Sequence, residues 1–405
     1  MRSSPDNRVH VALYAAIPSH LERHTATAGY SWKARAVQMA DVAHAFVSKR
    51  PRFHFHSWNV DQSNKGDILI REAVKQQIAQ AFSPREVVFD EIGWGELDAQ
   101  RVERINRDSD LFVIAGSGYL FPNDGKLPRR LFGDSELFPL IRCPKAAVGI
   151  GYNALADQER PLTGESSAAL KALLGALDRI SVRDRRTAEL VSAHCDVTPA
   201  LTGDPVLFYE DPAPLEAAPP TSPRLRLGVN IAMHGPVSAK RVEAEIDKLA
   251  DLLKRISSSH PVELHYVAHA PSERLVFWLL RARGIALQWH DPLPTALPAF
   301  YKSMDVHLCQ MMHSAIVALS VNLPVTAFAY DMKTAGLFDL LGLSPYCVPI
   351  QGWQATSVQA VVARMIEERV AIREAIARAR APLASLTKTF VSEVAGLVPA
   401  QGSAQ

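Results

Sequence analysis

The stretch DPAPLEAAPPTSP, residues 211–223, decides how the rest of the chain is interpreted. Its prolines remove backbone hydrogen-bond donors, and its alanines offer no face on which a core can be built. A chain of 405 residues is expected to form about two domains, and this stretch lies near its middle. We therefore predict a proline-rich linker over residues 212–223, between a first domain of residues 51–211 and a second of residues 224–354.

Short apolar strands alternate with helix-length segments on both sides of this linker. The predicted strands are Arg52–Trp58, Glu86–Asp90, Asp110–Ala115, Lys145–Ile150, Arg179–Arg183, Leu225–Ile231, Val262–Val267, Asp305–Leu308 and Pro324–Phe328. Strands separated by helices form parallel sheets. The sequence therefore predicts an α/β protein with two Rossmann-like domains that face each other across a cleft.

Apolar residues at helical spacing predict the intervening helices. These are Ile68–Phe82, Ser167–Leu177, Ala239–Ser257, Glu273–Arg283, Ser314–Val321 and Lys333–Leu341. A last long helix, about Thr356–Arg380, lies in a C-terminal helical segment, residues 355–397. Packing across both domains and capping of the second domain alone are both allowed for it. Residues 1–50 lie outside the alternation and are treated as an N-terminal extension of unknown role.

Composition excludes several classes of protein. The formal net charge of +2 gives no evidence of nucleic-acid binding. The four cysteines contain no CxxC pair, so we expect neither a metal site nor a redox couple. The N-terminus does not resemble a secretory signal, and no stretch reaches the roughly 18–20 apolar residues of a membrane span. We therefore expect a cytoplasmic protein whose membrane contact, if any, is peripheral.

The first candidate site is the segment NKGD, residues 64–67, where a loop turns into a helix. Asp67 could cap this helix, and Gly66 suits a tight turn. The functional alternative is that the turn and the helix N-terminus receive an anionic group, so that Asn64, Gly66 and Asp67 bind substrate. The segment alone does not choose between these interpretations.

Two further glycine patterns follow predicted strands of the first domain. Their candidate ligand-binding residues are Gly116, Ser117, Gly118, Tyr152 and Asn153. Missing β-carbons let a ligand approach the backbone closely, although a structural tight turn would use the same glycines. Because ligands of open α/β sheets bind beyond the carboxyl ends of the strands, the repeated pattern favours a ligand crevice.

An arginine ends the next predicted strand. The planar guanidinium of Arg183 could reach a phosphate or a carboxylate, which makes it a candidate catalytic residue. A structural pair with Asp184 or with Asp204 is the alternative.

The second domain supplies four more candidates at strand ends. His269 lies just past a predicted strand, and His313 falls at the start of a predicted helix. A histidine there can bind an anion or act as a general acid, because its pKa lies near neutrality. Tyr330 follows the next strand, and Lys333 opens the helix after it, where it could hold a phosphate.

In this order, the segments resemble the polysaccharide pyruvyl transferase family. The matching segments are NKGD (64–67), the strand before 116–118, VGIGYN (148–153), ISVRD (180–184), GDP (203–205), Asp305, His313 with its alanine-rich helix, and YDMK (330–333). The resemblance spans roughly residues 52–345. Its order and spacing are specific, whereas no single motif is.

The resemblance implies a GT-B-like fold and an active site between the two domains. It implies transfer of the enolpyruvyl unit of phosphoenolpyruvate to a sugar, which forms a pyruvate ketal on a surface polysaccharide or its precursor, as in exopolysaccharide biosynthesis for the cell envelope. Phosphoenolpyruvate is then the donor substrate, and no cofactor is required. The acceptor is a saccharide, for which linkage to a lipid or to a nucleotide stays open. His313 would be the general acid or else a phosphate ligand, and Arg183 would bind the anionic donor.

One position departs from the family. Its R-x-H pattern is replaced by Met311-Met312-His313, so the histidine is present and the arginine is absent. Another cation, such as Arg183 or Lys333, would have to replace that anion clamp. Two other functions stay open: a GT-B-like glycosyltransferase that uses a nucleotide sugar, and a non-catalytic glycan-binding subunit, which the missing arginine would favour.

Overall fold

The computed structural model describes residues 7–16, 64–93, 95–120, 137–152, 162, 164–210, 223–232, 239–270 and 273–399. Within these residues the chain forms twelve strands and eleven α-helices. The predicted strand Arg52–Trp58, residue Asn153 and the linker up to residue 222 lie outside them. The chain divides into two compact units, which we describe separately.

The first unit comprises Met1–Glu22, Leu69–Glu210 and Arg380–Gln405. Its strands are β1 (Arg8–Ala15), β2 (Glu86–Gly93), β3 (Leu111–Leu120), β4 (Lys145–Tyr152), β5 (Arg179–Val182) and β6 (Ala200–Leu201). Its helices are α1 (Lys65–Phe82, from Leu69 onward), α2 (Ala99–Asp108), α3 (Gly164–Gly175) and α4 (Arg185–His194). All strand pairs are parallel, in the order β2-β1-β3-β4-β5-β6.

The second unit comprises Arg23–Ile68 and Asp211–Ala379. Its strands are β7 (Leu225–Asn230), β8 (Val262–Val267), β9 (Leu287–His290), β10 (Val306–Cys309), β11 (Val325–Ala329) and β12 (Cys347–Pro349). Its helices are α5 (Ala239–Ser259), α6 (Glu273–Ala282), α7 (Leu297–Lys302), α8 (Met312–Ser320), α9 (Met332–Leu340), α10 (Ala355–Glu367) and the start of α11 (Arg369–Ala395). The parallel order is β12-β11-β10-β7-β8-β9.

Each sheet is doubly wound, because its strand order reverses once: at β1 and β3 in the first unit, and at β7 and β10 in the second. The central strands are nearly continuous apolar runs, since helices cover both faces of a parallel sheet. In β10, for example, all four residues are buried. The predicted α/β class with two Rossmann-like domains is confirmed, and the cleft between them stays a prediction.

The N-terminal residues correct the sequence analysis, which placed residues 1–50 outside the sheet. Residues Arg8–Ala15 form β1, which pairs with β2 on one side and β3 on the other. Six of its eight residues are buried. The predicted alternation of strands and helices begins only at Arg52, and it therefore omits this strand.

The glycine patterns also differ from expectation, because both lie inside strands and not in loops after them. Strand β3 continues through Gly116, Ser117 and Gly118, with Ser117 at φ 84° and a register shift between Ser117 and Leu120. Strand β4 likewise continues to Tyr152, with Gly149 at φ 66°. An irregular strand of this kind bends locally without ending.

The C-terminal helix is two helices, α10 and α11, which meet at Glu368. Glu368 leaves the helical conformation at ψ 8°, and its carboxylate accepts a hydrogen bond from the Tyr346 hydroxyl at 2.8 Å. The predicted helix Thr356–Arg380 therefore corresponds to α10 and the first half of α11, and α11 is the long C-terminal helix. Its residues from Arg380 onward belong to the first unit.

The end of α11 is part of the core of the first unit. Phe390, Val391 and Val394 are buried in one cluster with side chains of β1 and β3, including Val11 and Val113. This packing explains why the terminal residues group with a sheet that begins the chain. The predicted domains had instead separated residues 355–397 from both sheets.

Replacing Phe390 with alanine removes a buried ring from this cluster. Such a truncation in a core costs about 3–5 kcal/mol, so urea denaturation should show a loss of that size in the free energy of unfolding of the first unit. Leu386 lies one turn earlier on the same helix and is 51% exposed. Leu386→Ala should change stability by less than about 0.5 kcal/mol. Equal losses in the two variants would contradict the packing.

Candidate active site

The NKGD segment starts α1, and its residues lie in the second unit. Asn64, and not Asp67 as expected, occupies the capping position. The Asn64 side-chain Oδ1 accepts a hydrogen bond from the Gly66 backbone N–H at 3.0 Å, and its carbonyl oxygen accepts one from the Asp67 N–H at 3.0 Å. The helix begins two residues before Asp67, which leaves that carboxylate in the first turn.

Lys65 fastens this segment to the loops after β8 and β9. Its ammonium donates to the carbonyl oxygens of Ala268 at 2.9 Å and Pro292 at 2.6 Å. It also forms a 2.6 Å ion pair with Asp291. Burial lowers the pKa of Lys65, and the charge of Asp291 opposes that change. With only 4% of the residue exposed and three oxygen acceptors around its nitrogen, Lys65 has a structural role.

His313 is brought to the same segment by α8. The Asn64 Nδ2 lies 3.0 Å from the His313 Nδ1, across 249 residues of sequence. A β-carbon on Gly66 would overlap the His313 ring, so glycine is needed there to make room for the imidazole. The space left by the missing β-carbon of Gly66 is therefore occupied by this side chain.

A fully buried hydrogen-bonded chain supports the start of α8. The Tyr301 hydroxyl lies 2.7 Å from the His269 Nε2 and 2.6 Å from the Ser314 Oγ. The Ser314 Oγ in turn lies 2.7 Å from the His307 Nε2. Because Ser314 follows His313 directly, this chain fixes the backbone that carries the candidate catalytic histidine.

The side chains of this hydrogen-bonded network are uncharged near neutral pH. Burial lowers the pKa of His307 to about 3. Burial, followed by the charge of Lys65, lowers the pKa of His269 well below its ordinary value. Burial also raises the pKa of Tyr301 well above its usual range. His269, predicted to bind substrate, is completely buried, and its Nε2 is engaged by Tyr301.

Glu273 closes the loop that follows β8. Its carboxylate accepts hydrogen bonds from Asn230 Nδ2 at 2.7 Å and from the backbone N–H groups of His269 and Ala270, each at 3.0 Å. Burial raises the pKa of Glu273 to about 8, and these donors act against that shift. The contact with Asn230 thereby holds the loop after β8 at the end of β7. In this loop, the His269 carbonyl oxygen accepts a hydrogen bond from the Lys65 backbone N–H.

The remaining candidates of the second unit follow β11. Asp331 caps α9 by accepting a hydrogen bond from the Thr334 N–H at 3.0 Å. Lys333 lies 3.1 Å from Asp331 and above the ring of Tyr330, whose pKa burial raises to about 12. Met311, which replaces the arginine of the R-x-H pattern, is buried at the start of α8 and supplies no cation.

The first unit contains a separate cluster around Arg183. The guanidinium is buried, with Nε 3.4 Å from the Asp184 Oδ2, NH2 3.4 Å from the Tyr152 carbonyl oxygen and NH1 4.0 Å from the Asp204 Oδ2. A β-carbon on Gly151 would overlap this guanidinium. Asp184 and Asp204, the two structural partners predicted for Arg183, thus both lie near its guanidinium. The role of Arg183 in donor binding stays a prediction.

The other glycines of the first unit are explained by packing. A β-carbon on Gly116 would lie 2.6 Å from the Ile70 side chain, and one on Gly149 would lie 2.6 Å from Pro205. Neither glycine needs a ligand to account for it. Ligand binding by Gly116, Ser117, Gly118 and Tyr152 remains a prediction.

Sequence reasoning found Asn64, Gly66, His269 and His313, which the structure brings together in the second unit. It missed Lys65, Tyr301 and Ser314. Lys65 lies inside the NKGD segment and Ser314 beside His313, so proximity to a motif was a usable signal for both. Tyr301 lies on the short helix α7 and had no such signal. No group of three or more metal-ligating side chains occurs among the described residues.

The fold and this histidine site define a doubly wound α/β protein with a site at the carboxyl ends of its strands. A model of the polysaccharide pyruvyl transferase family matches residues 64–332. Because the match covers more than half of the chain, the chain belongs to the polysaccharide pyruvyl transferase family. No curated protein matches it significantly. None of the helices in the described part of the chain is long and apolar enough to cross a membrane.

Solved structures resemble the chain only distantly. One is a putative UDP-N-acetylglucosamine 2-epimerase from Listeria monocytogenes, with 11% identity over 94% of each chain and a TM-score of 0.49. Another is a mutant O-GlcNAc transferase from Thermobaculum terrenum, with 18% identity over 98% of this chain and 68% of that chain, at a TM-score of 0.47.

The structural role of Arg183 can be tested by comparing its replacement with that of Arg186, which lies three residues later in the sequence. Arg183→Ala leaves buried carboxylates without their cation, so we expect a loss of about 3–5 kcal/mol in the free energy of unfolding. Arg186 pairs with Glu189 at 3.4 Å on the surface, and Arg186→Ala should cost less than about 1 kcal/mol. Unchanged stability in Arg183→Ala, together with weaker binding of phosphoenolpyruvate, would contradict the structural role and assign Arg183 to the donor.

Proposed function

We propose that this protein transfers the pyruvyl unit of phosphoenolpyruvate to a saccharide and closes a pyruvate ketal on two of its hydroxyl groups. Membership of the polysaccharide pyruvyl transferase family supports pyruvyl transfer. The observation that carries the proposal is the 3.0 Å contact between Asn64 and His313, which joins two distant motifs of the family in one site.

The proposed reaction balances without a redox partner. One acceptor hydroxyl adds to C2 of the enol while C3 gains a proton, the C2–O bond to phosphate breaks, and a second hydroxyl forms the other C–O bond of the ketal. Of the two hydroxyl protons, one is in net terms gained by the new methyl group and the other leaves with inorganic phosphate. The protein has to bind an anionic donor and stabilise charge at C2.

Two features near His313 support the binding of an anion. Helix α8 begins without a side-chain cap at Met311, and the N-terminus of a helix carries a partial positive charge. His313 is the second residue of that helix and can donate a hydrogen bond. Lys65, whose three oxygen acceptors are protein groups, is not available for the donor. We therefore propose that the α8 N-terminus and His313 compensate for the arginine that Met311 replaces.

Calorimetric titration with phosphoenolpyruvate tests the donor. We expect binding to the wild-type protein and a loss of at least about tenfold in affinity for His313→Ala, because a hydrogen bond to a charged group is removed. His194→Ala, in the first unit, is the matched control and should bind as the wild type does. Binding of UDP-N-acetylglucosamine in place of phosphoenolpyruvate would instead support the nucleotide-sugar glycosyltransferase.

Mass spectrometry of surface glycans tests the product. Cells that carry the gene should contain glycans heavier by pyruvate minus water, and cells without the gene should lack that increment. Restoration by the wild-type gene but not by the His313→Ala gene would tie the modification to this site. Identical glycans in all strains, with phosphoenolpyruvate unbound, would contradict the proposal and favour a non-catalytic subunit.

A further inference from the structure

The orientation of the Asn64 amide is determined by its neighbours. Its Oδ1 accepts a hydrogen bond from the Gly66 backbone N–H at 3.0 Å. A flipped amide would place its NH₂ group against that N–H, so that two donors would face each other. The Nδ2 is therefore the atom that faces His313, and an amide nitrogen can only donate.

This orientation decides which nitrogen of His313 carries the proton. The His313 Nδ1 lies 3.0 Å from the Asn64 Nδ2 and must accept its hydrogen bond, so Nδ1 bears no proton. In a neutral imidazole the proton is then on Nε2. An imidazolium would place an Nδ1–H against the Asn64 donor and lose this hydrogen bond, which costs the charged form free energy.

The ring has little room to avoid this contact. Gly66 lies against the His313 ring closely enough that a β-carbon would overlap it. Lys65 anchors the segment on one side of Asn64–Gly66, and Ser314 is held by Tyr301 and His307 on the other. Both partners of the Asn64–His313 hydrogen bond are thus fixed by separate contacts.

We propose that Asn64 is a positioning residue that holds His313 as a neutral imidazole protonated on Nε2. His313 then donates its Nε2–H to an oxygen of the anionic donor, and is not the acid that protonates C3. A neutral histidine that acts as a hydrogen-bond donor is an established catalytic arrangement. The protonation state is a property of the free protein, whereas the role toward the donor rests on the proposed function.

Nitrogen-15 NMR of the free protein tests the protonation state directly. The His313 resonances are assigned by their absence from the spectrum of His313→Gln. At neutral pH we expect an unprotonated, pyridine-like Nδ1 and a protonated, pyrrole-like Nε2. A proton on Nδ1, or an imidazolium at neutral pH, would overturn the proposal.

The variant Asn64→Asp sharpens that measurement. Aspartate keeps an oxygen for the Gly66 N–H but presents a second acceptor to His313, so the proton should move to Nδ1. Asn322→Asp is a matched control: it makes the same change at the end of α8, at φ 58°, a conformation that aspartate tolerates. It should leave the His313 spectrum unchanged. An unaltered His313 spectrum in Asn64→Asp would show that Asn64 does not set the protonated nitrogen.

Steady-state kinetics with phosphoenolpyruvate separates the donor role from the acid role. The side-chain amide of glutamine can reach the position of the imidazole Nε2, whereas that of asparagine is one bond too short. We expect His313→Gln to exceed both His313→Asn and His313→Ala in kcat/KM by about 10- to 100-fold, the effect of one hydrogen bond to a charged group. A Gln variant as inactive as Ala, both at least about 100-fold below wild type in kcat, would identify His313 as the acid and overturn the proposal.

The two proposals fail in different ways. If phosphoenolpyruvate is not a substrate of the wild-type protein, the proposed function fails. The NMR measurement still tests the protonation state of His313, because it is made on the free protein. If turnover occurs but the Nδ1 carries the proton, both the role of Asn64 and the Nε2–H donor are overturned, while the proposed function stands.

Discussion

The site depends on one buried ammonium group. Lys65 donates to two carbonyl oxygens and one carboxylate of the second unit, and so places the start of α1 against the loops after β8 and β9. Burying an ammonium group is costly unless its donors are satisfied, and here all three are. Because these three acceptors fix Lys65, its neighbours Asn64 and Gly66 are held next to His313.

In both units a glycine leaves room for a candidate site residue: Gly66 for His313 and Gly151 for Arg183. Gly66 lies under the His313 ring, and Gly151 lies under the Arg183 guanidinium. The family motifs NKGD and VGIGYN therefore each contain a residue whose missing β-carbon is used by a side chain from a later motif. This interdependence gives a physical reason for the motifs to occur together in one chain.

The sequence predicted the elements better than the contacts. Strand β8 was found at its observed bounds, Val262–Val267, because apolar residues at alternating positions between helical segments indicate a buried strand. Strand β1 was missed because the predicted alternation began only at Arg52. The candidates Asn64 and His313 were found from motifs, but their contact, the anchoring by Lys65 and the support from Tyr301 could not be, since they depend on side-chain partners that periodicity does not specify. The division at residue 211 likewise missed that residues 64–68 belong to the second unit.

Hydrogen exchange at the start of α1 tests the central claim that Lys65 holds this segment in place. In the wild type, the backbone N–H groups of Lys65 and Gly66 donate to the His269 carbonyl oxygen and to the Asn64 Oδ1. In Lys65→Met, the N–H groups at positions 65 and 66 should exchange faster than in the wild type. Lys75→Met is the matched control, because Lys75 lies on the same helix but pairs with Glu91 in the first unit. It should leave exchange at residues 65–66 unchanged. Equal protection of these residues in Lys65→Met and in the wild type would contradict the account.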